Sequence, residues 1–337
     1  MTTVCICGGG SLGHVVAGYI GAKGVDINIL TRNPDNWSEE LTVFTPDGNA
    51  LHARPALVTD NPELAVKGAG IVLLCLPGYA IKPVLESIAP YVEKGSFVGS
   101  VFSSTGFFFE AQKVFDGNVS LWGFQRVPFI ARVKEYGKSA ALLGYKECYS
   151  IAVENSDDKE SFRGVVETLF DRPVKLLKNH FEASFTNSNP ILHPARLYSL
   201  FKDWNKEVYY DRQFLFYEEW NELASETLVA LDKELFMLLE KLPVTPGFLK
   251  PILEYYESDD IDALKRKITS IGSFKGIKTP MVETEYGWQP DLQSRYFQED
   301  FNYGLRYIYE QAKQLHVATP TIDKIYNWGI SLLSETP

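Results

Sequence analysis

The stretch VCICGGGSLGHVVAGYI, residues 4–20, decides the fold of this chain. Val4 to Cys7 is a short apolar run without polar alternation, the pattern of a strand buried on both faces of a parallel sheet. Gly8, Gly10 and Gly13 follow in G-x-G-x-x-G spacing, and Val15, Val16, Ala17, Tyr19 and Ile20 continue as a helix. One glycine makes the tight turn out of the strand, one lets the backbone approach a pyrophosphate, and one lets the helix pack closely on the strand. The helix start then directs free N–H groups and a partial positive charge at the phosphates. Alone this motif is weak; here it follows a strand and starts a helix, which is the required context. Gly8, Gly9, Gly10, Ser11, Leu12 and Gly13 are therefore the expected phosphate-binding residues. The competing reading is a glycine-rich turn before a structural helix.

Outward from this turn, β and α signals alternate. VDINIL (25–30) reads as a second strand. A dinucleotide fold places an acidic residue about 20 residues past the glycines to bind the ribose 2′-hydroxyl. Thr31 and Arg32 stand there instead, so a guanidinium is placed to bind a 2′-phosphate and NADP(H) is favoured, with NAD(H) still compatible. The PDG triplet within 41–58 marks a hairpin ribbon. NPELAVKGA (61–69) is a short capped helix, and GIVLLCLPG (70–78) is another apolar strand, ending at Pro77 near the expected nicotinamide ribose. A helix with Pro83 in its first turns, the strand SFVGSVF (96–102), the helix GFFFEAQKVF and the strand VSLWGFQ follow. This alternation predicts an α/β fold with a Rossmann-type doubly wound parallel sheet. Residues 126–180 read as a strand pair continuing the sheet, a capped helix and an extended segment. From about residue 181, strand signals nearly vanish and long helical patterns rich in Leu, Phe, Tyr and Trp begin. The expected organisation is a dinucleotide-binding domain over 1–180 and an all-α C-terminal domain over 181–337.

The 337 residues carry a net charge of −10 with no run of Lys or Arg, which argues against nucleic acid or an anionic membrane surface as partner. The 45% hydrophobic content suits a globular protein with a sizeable core. Cys5, Cys7, Cys75 and Cys148 have no spacing that fits a metal site, and free thiols suggest a reducing, cytoplasmic setting. No apolar run reaches the length of a membrane span. A homodimer is left open.

Hydride chemistry needs an acid/base group and a substrate anchor. Of five histidines, His193 in FTNSNPILHPARL (185–197) is held between Pro190 and Pro194 at a helix start, which suits either a positioned group or a core residue. The segment SFKGIKTPMVETEYGWQPDLQSRYFQEDFNYGL (273–305) brings Arg295, Glu299 and Asp300 to another helix start. Arg295 and Glu299 fit a surface i,i+4 pair, while Asp300 is free to cap the helix or face inward.

These blocks carry a family resemblance. VCICGGGSLGH, LPGYA, NPILHPA, SFKGI-TP, PD-x-x-SRYF-x-EDF-x-x-GL and TPTID together resemble the octopine/opine dehydrogenase family nearly end to end. The resemblance implies a dinucleotide domain joined to a helical domain of the 6-phosphogluconate dehydrogenase C-terminal-like type. It implies an oxidoreductase that condenses the amine of an amino acid with a 2-oxo acid such as pyruvate, yielding a secondary amine dicarboxylate. By the same resemblance His193 and Asp300 are the acid/base dyad, and Arg295 contacts a substrate carboxylate. An imidazole titrates near neutral pH, a carboxylate fixes its tautomer, and an Arg fork binds a carboxylate bidentately. Two alternatives stand beside this reading: a ketopantoate-reductase-like 2-hydroxy-acid dehydrogenase, and a non-catalytic NADP-sensing protein on the same fold.

Overall fold

The computed structural model describes residues 3–334. The chain divides between Thr186 and Asn187 into two compact units.

The first unit runs β1 (Thr3–Cys7), α1 (Ser11–Gly21), β2 (Ile27–Leu30), β3 (Leu41–Phe44), β4 (Ala50–Ala53), β5 (Leu57–Thr59), α2 (Pro62–Val66), β6 (Ala69–Leu74), α3 (Gly78–Ile88), β7 (Phe97–Ser100), α4 (Phe107–Val114), β8 (Ser120–Phe124), β9 (Phe129–Glu135), β10 (Ser139–Tyr145), β11 (Tyr149–Glu154), α5 (Lys159–Phe170), β12 (Val174–Leu176) and α6 (His180–Ser184). An eight-stranded sheet has the order β12-β11-β8-β7-β6-β1-β2-β5. β1 lies parallel between β2 and β6, with Cys7 opposite both Leu30 and Leu74. Its centre is apolar on both faces because helices cover both: β1 and β6 contribute Val4, Ile6, Ile71 and Leu73 to one core and Cys5, Cys7, Val72 and Leu74 to the other. This is the doubly wound architecture that the alternating signals predict.

The strand pair expected to continue the sheet does not do so. β9 and β10 leave the main sheet and pair with the ribbon in a four-stranded sheet of order β4-β3-β10-β9. β10 runs parallel to β3, with Ala140 opposite Val43. The reason lies in α1. Buried Leu41 and Val43 of β3 need an apolar partner, and α1 supplies it. A Cβ on Gly18 would come within 2.3 Å of Val43 Cγ2, so the helix packs directly on the second sheet. α1 is thereby covered on two sides, which explains why His14, Val15, Val16, Ala17, Gly18 and Ile20 are all buried. β11 then returns antiparallel to β8, and β12 adds parallel to β11 at the edge.

The second unit contains α7 (Asn189–Phe201), α8 (Glu222–Leu239), α9 (Ile252–Tyr255), α10 (Ile261–Ser270), β13 (Met281–Thr284), β14 (Gly287–Pro290), α11 (Arg295–Asp300), α12 (Arg306–Gln314) and α13 (Pro320–Ser334). It is helical with one exception to the expected all-α domain: β13 and β14 form an antiparallel hairpin. Its turn needs Gly287 at φ +127, where a Cβ would also meet the Tyr210 carbonyl oxygen at 2.6 Å.

α8 carries a buried acid. Asp232 Oδ2 accepts the backbone N–H of Ile252 at 2.9 Å, capping α9, and burial pushes its carboxyl up to about 6. A carboxyl raised on folding adds stability that is complete below its unfolded value near 4 and lost as pH rises through about 6. Asp232→Asn keeps the acceptor oxygen and removes the buried charge. Its expected effect is a gain on the order of 2–3 kcal/mol at pH 8 that shrinks to nothing near pH 4. Thermal melts across that range check it, and an equal change at both ends would contradict the assignment.

Candidate active site

The first site gathers at the carboxyl ends of β1, β2 and β6. A cavity of about 610 Å³ is lined there by Gly8, Gly9, Gly10, Thr31, Arg32 and Pro77, among others. Gly8 leaves β1 at φ +124, and a Cβ there would meet the Cys75 carbonyl oxygen at 2.6 Å. A Cβ on Gly9 would strike Thr31 Oγ1 and the Tyr136 hydroxyl at 2.6 and 2.7 Å. A Cβ on Gly13 would stand 1.8 Å from the Gly8 carbonyl oxygen, so this glycine alone lets α1 close onto the turn. Gly10 differs: nothing of the protein lies within 4 Å of its Cβ position. It caps α1 without any side-chain acceptor for the first N–H groups. Backbone donors at a helix start, facing an open wall without a Cβ, fit the pyrophosphate of a dinucleotide.

Three of the expected phosphate-loop residues do not line the cavity. Ser11 turns away and accepts the Val133 N–H at 3.2 Å. Leu12 packs on the core, and Gly13 lies behind Gly8. The wall also includes residues outside the expected set. Tyr136, between β9 and β10, bonds Thr31 Oγ1 at 3.2 Å and lines the cavity. Its turn is tied to the glycine loop by His14, whose Nδ1–H donates to the Gly10 carbonyl at 2.9 Å while Nε2 accepts the Gly137 N–H at 2.7 Å. Both ring nitrogens are used, so His14 is neutral; burial lowers its pKa in the same sense. Trp37 stacks on its ring at 4.2 Å. Tyr136 was not legible in the sequence, because the second sheet brings it to residues more than 100 positions away. Arg32 is exposed on the cavity wall, with no ion pair to any described residue.

The second site is built on α7. Pro190 and Pro194 bracket His193, which is buried, and its Nδ1 lies 2.7 Å from Asp300 Oδ2. Asp300 ends α11 and faces inward; a π turn (Phe301–Leu305) follows it at once. Gly304 lets that turn approach α7, since a Cβ there would meet Pro190 Cγ at 2.9 Å. Gly329 of α13 likewise makes room for the Phe301 ring. Two close approaches at glycines thus help bring together side chains 107 positions apart. The carboxylate accepts the Nδ1 proton, leaving Nε2 as the acceptor nitrogen. Tyr296 and Phe216 flank the ring at 4.4 and 5.5 Å. Arg295, on the first turn of α11, is exposed.

The other histidines are committed elsewhere. His52 and His180 pair with Glu40 and Glu154 at 3.0 and 3.1 Å, and His316 is exposed in a turn at φ +54. Among the described residues no cluster of three His, Cys, Asp or Glu side chains could hold a metal, and no helix is long and apolar enough to cross a membrane.

Comparison with known proteins identifies similar chains for both units. Residues 176–333 match the family model described as NAD/NADP octopine/nopaline dehydrogenase, alpha-helical domain, and residues 4–124 match that of ketopantoate reductase PanE/ApbA. The chain is 29% identical to the octopine dehydrogenase of Pecten maximus, covering 97% of this chain and 89% of that one. It is 28% identical to the tauropine dehydrogenase of Arabella iricolor, covering 99% and 92%. A solved octopine dehydrogenase structure with NADH and L-arginine superposes with a TM-score of 0.86 at 26% identity, covering 99% of this chain and 90% of that one. With its Rossmann-type first unit and helical second unit, the chain is an NAD(P)-dependent dehydrogenase, similar over nearly its whole length to octopine and opine dehydrogenases.

Proposed function

We propose that the chain reduces the condensation product of an amino acid amine and a 2-oxo acid such as pyruvate, forming a secondary amine dicarboxylate. The observation that carries this reading is the 2.7 Å bond between His193 Nδ1 and Asp300 Oδ2 in the helical unit of a dehydrogenase. A dinucleotide held in this cavity would supply the hydride from its nicotinamide ring. The Gly8–Gly10 turn and the start of α1 hold its pyrophosphate, and Pro77 borders its ribose. An amino acid arrives as an ammonium ion and must lose a proton before its nitrogen can attack a carbonyl. His193 Nε2 takes that proton, and Asp300 stabilises the imidazolium that results. Arg295 binds a substrate carboxylate through its guanidinium fork.

NADP(H) is the preferred cofactor in this reading. Thr31 and Arg32 stand directly after β2 where an acidic residue would bind a 2′-hydroxyl, and the exposed guanidinium of Arg32 on the cavity wall complements a 2′-phosphate. The buried free thiols Cys5, Cys7 and Cys75 suit a cytoplasmic setting.

One panel tests the reading: oxidation of NADPH and NADH by pyruvate with and without a set of amino acids that includes L-arginine. Turnover only with both partners is expected. Turnover with a 2-oxo acid alone would favour the hydroxy-acid chemistry to which the match over residues 4–124 points. No turnover at all despite tight NADPH binding would indicate a sensor. Arg32→Ala, run in the same panel, should raise KM for NADPH about tenfold or more and leave that for NADH within about twofold, as loss of a charge-assisted contact demands. Equal effects on both would contradict the NADP(H) preference.

A further inference from the structure

The acceptor nitrogen of His193 is not open. The Tyr217 hydroxyl lies 3.0 Å from Nε2. Asp300 takes the Nδ1 proton, so the hydroxyl donates to Nε2, and an unbroken line runs Asp300–His193–Tyr217. Tyr217 is held there with unusual care. Its ring stacks on Phe274 at 4.1 Å and 17°, and lies parallel to Trp220 at 6.3 Å. The backbone just before it is clamped by Arg196, three positions past His193 on the same helix. Arg196 Nε donates to the Phe216 carbonyl at 2.7 Å and Nη2 to the Leu215 carbonyl at 3.2 Å. This guanidinium is only 1% exposed, and burial lowers its pKa to about 10. A buried Arg spent on two carbonyls is costly unless the strand of backbone it fixes must stay in place. One helix thus supplies both the imidazole and the clamp that aims a phenol at it.

We propose that Tyr217 relays the proton between the substrate nitrogen and His193 Nε2, as the third member of the acid/base line; this rests on the reading given under Proposed function. The ammonium of the amino acid gives one proton to the Tyr217 oxygen as the phenol's own proton passes to Nε2. The amine is left neutral, His193 becomes an imidazolium paired with Asp300, and Tyr217 ends with one proton, as it began. No bond to carbon changes and no oxidant or reductant is consumed in this step. A phenol suits the task because it donates and accepts at the same atom. Burial pushes the Tyr217 phenol well above its usual value, so it stays protonated rather than competing as an anion.

The test is Tyr217→Phe, which keeps the ring and its stacking on Phe274 and removes only the oxygen. Expected is a fall in kcat/KM for the amino acid of about 10²-fold, the scale of a lost acid/base contribution, with NADPH affinity within about twofold of wild type. A purely structural role would not alter the proton count, so rates in mixed H2O/D2O supply the second readout. Wild type should show a curved dependence on deuterium fraction, with two protons moving together, and the variant a straight one. A variant within twofold of wild type overturns the relay. So does a straight dependence in the wild type, which needs no variant. If wild type turns over with an amino acid and a 2-oxo acid but the variant does too, only the relay fails; if wild type turns over with no such pair, the functional reading fails and the relay with it.

Discussion

His193→Ala is expected to lower kcat/KM about 10³-fold for the best pair of amino acid and 2-oxo acid while NADPH binds as in wild type. General acid/base groups contribute about 10²–10⁴-fold, and in the proposed reading this imidazole carries the proton on which nucleophilic attack depends. Cofactor affinity is spared because the residues lining the dinucleotide cavity all belong to the first unit. Steady-state kinetics with a titration of NADPH against each protein measure both quantities. Asp300→Asn should follow the same direction by a different route. An amide can donate to Nδ1, which places the ring proton on Nε2 and removes the acceptor nitrogen. Unchanged kcat/KM in His193→Ala would remove the opine reading and leave the hydroxy-acid alternative standing.

Gly13→Ala is expected to damage fold and cofactor binding together. Its Cβ would sit 1.8 Å from the Gly8 carbonyl oxygen, a backbone atom that cannot swing aside. α1 has to lift from the turn, at an overpacking cost of about 2–3 kcal/mol. The melting temperature falls by about 5–10 °C, and NADPH binding is lost within the range of calorimetry. Gly10→Ala is the matched comparison. Its φ of −85° accepts alanine, and no protein atom lies within 4 Å of the new Cβ. Stability is therefore kept while the methyl group intrudes where pyrophosphate belongs, and dinucleotide affinity drops. If both variants bind NADPH normally, the glycine turn is not the cofactor site.

The sequence was legible where one segment carries its own physics. Continuous apolar runs at Val4–Cys7 and Ile71–Leu74 announce strands buried on both faces, and the glycine spacing announces the turn beyond the first. It was not legible where a partner lies far along the chain. The alternation in β9 and β10 marks strands but cannot say that β10 pairs with β3 about 100 residues earlier. Nothing at MVETEYGWQP alternates strongly enough to separate a short hairpin from the turns around it. The pairing of His193 with Asp300 came from family likeness and not from spacing. Tyr217 and Arg196 carried no signal: FLFYEEW reads as core, and an Arg on α7 reads as solvent-facing until the carbonyls it holds are seen.

The cysteines have a practical consequence. Cys5, Cys7 and Cys75 lie buried around the glycine turn, at 0%, 1% and 7% exposure, and burial holds the Cys75 thiol far above the range in which thiolate forms. Cys148, between β10 and β11, is exposed. Thiolate is the species that alkylating reagents attack, so the native chain offers one addressable sulfur. A maleimide fluorophore would mark the first unit at a single point without mutagenesis, and partial unfolding would announce itself as a rise in dye incorporated per chain.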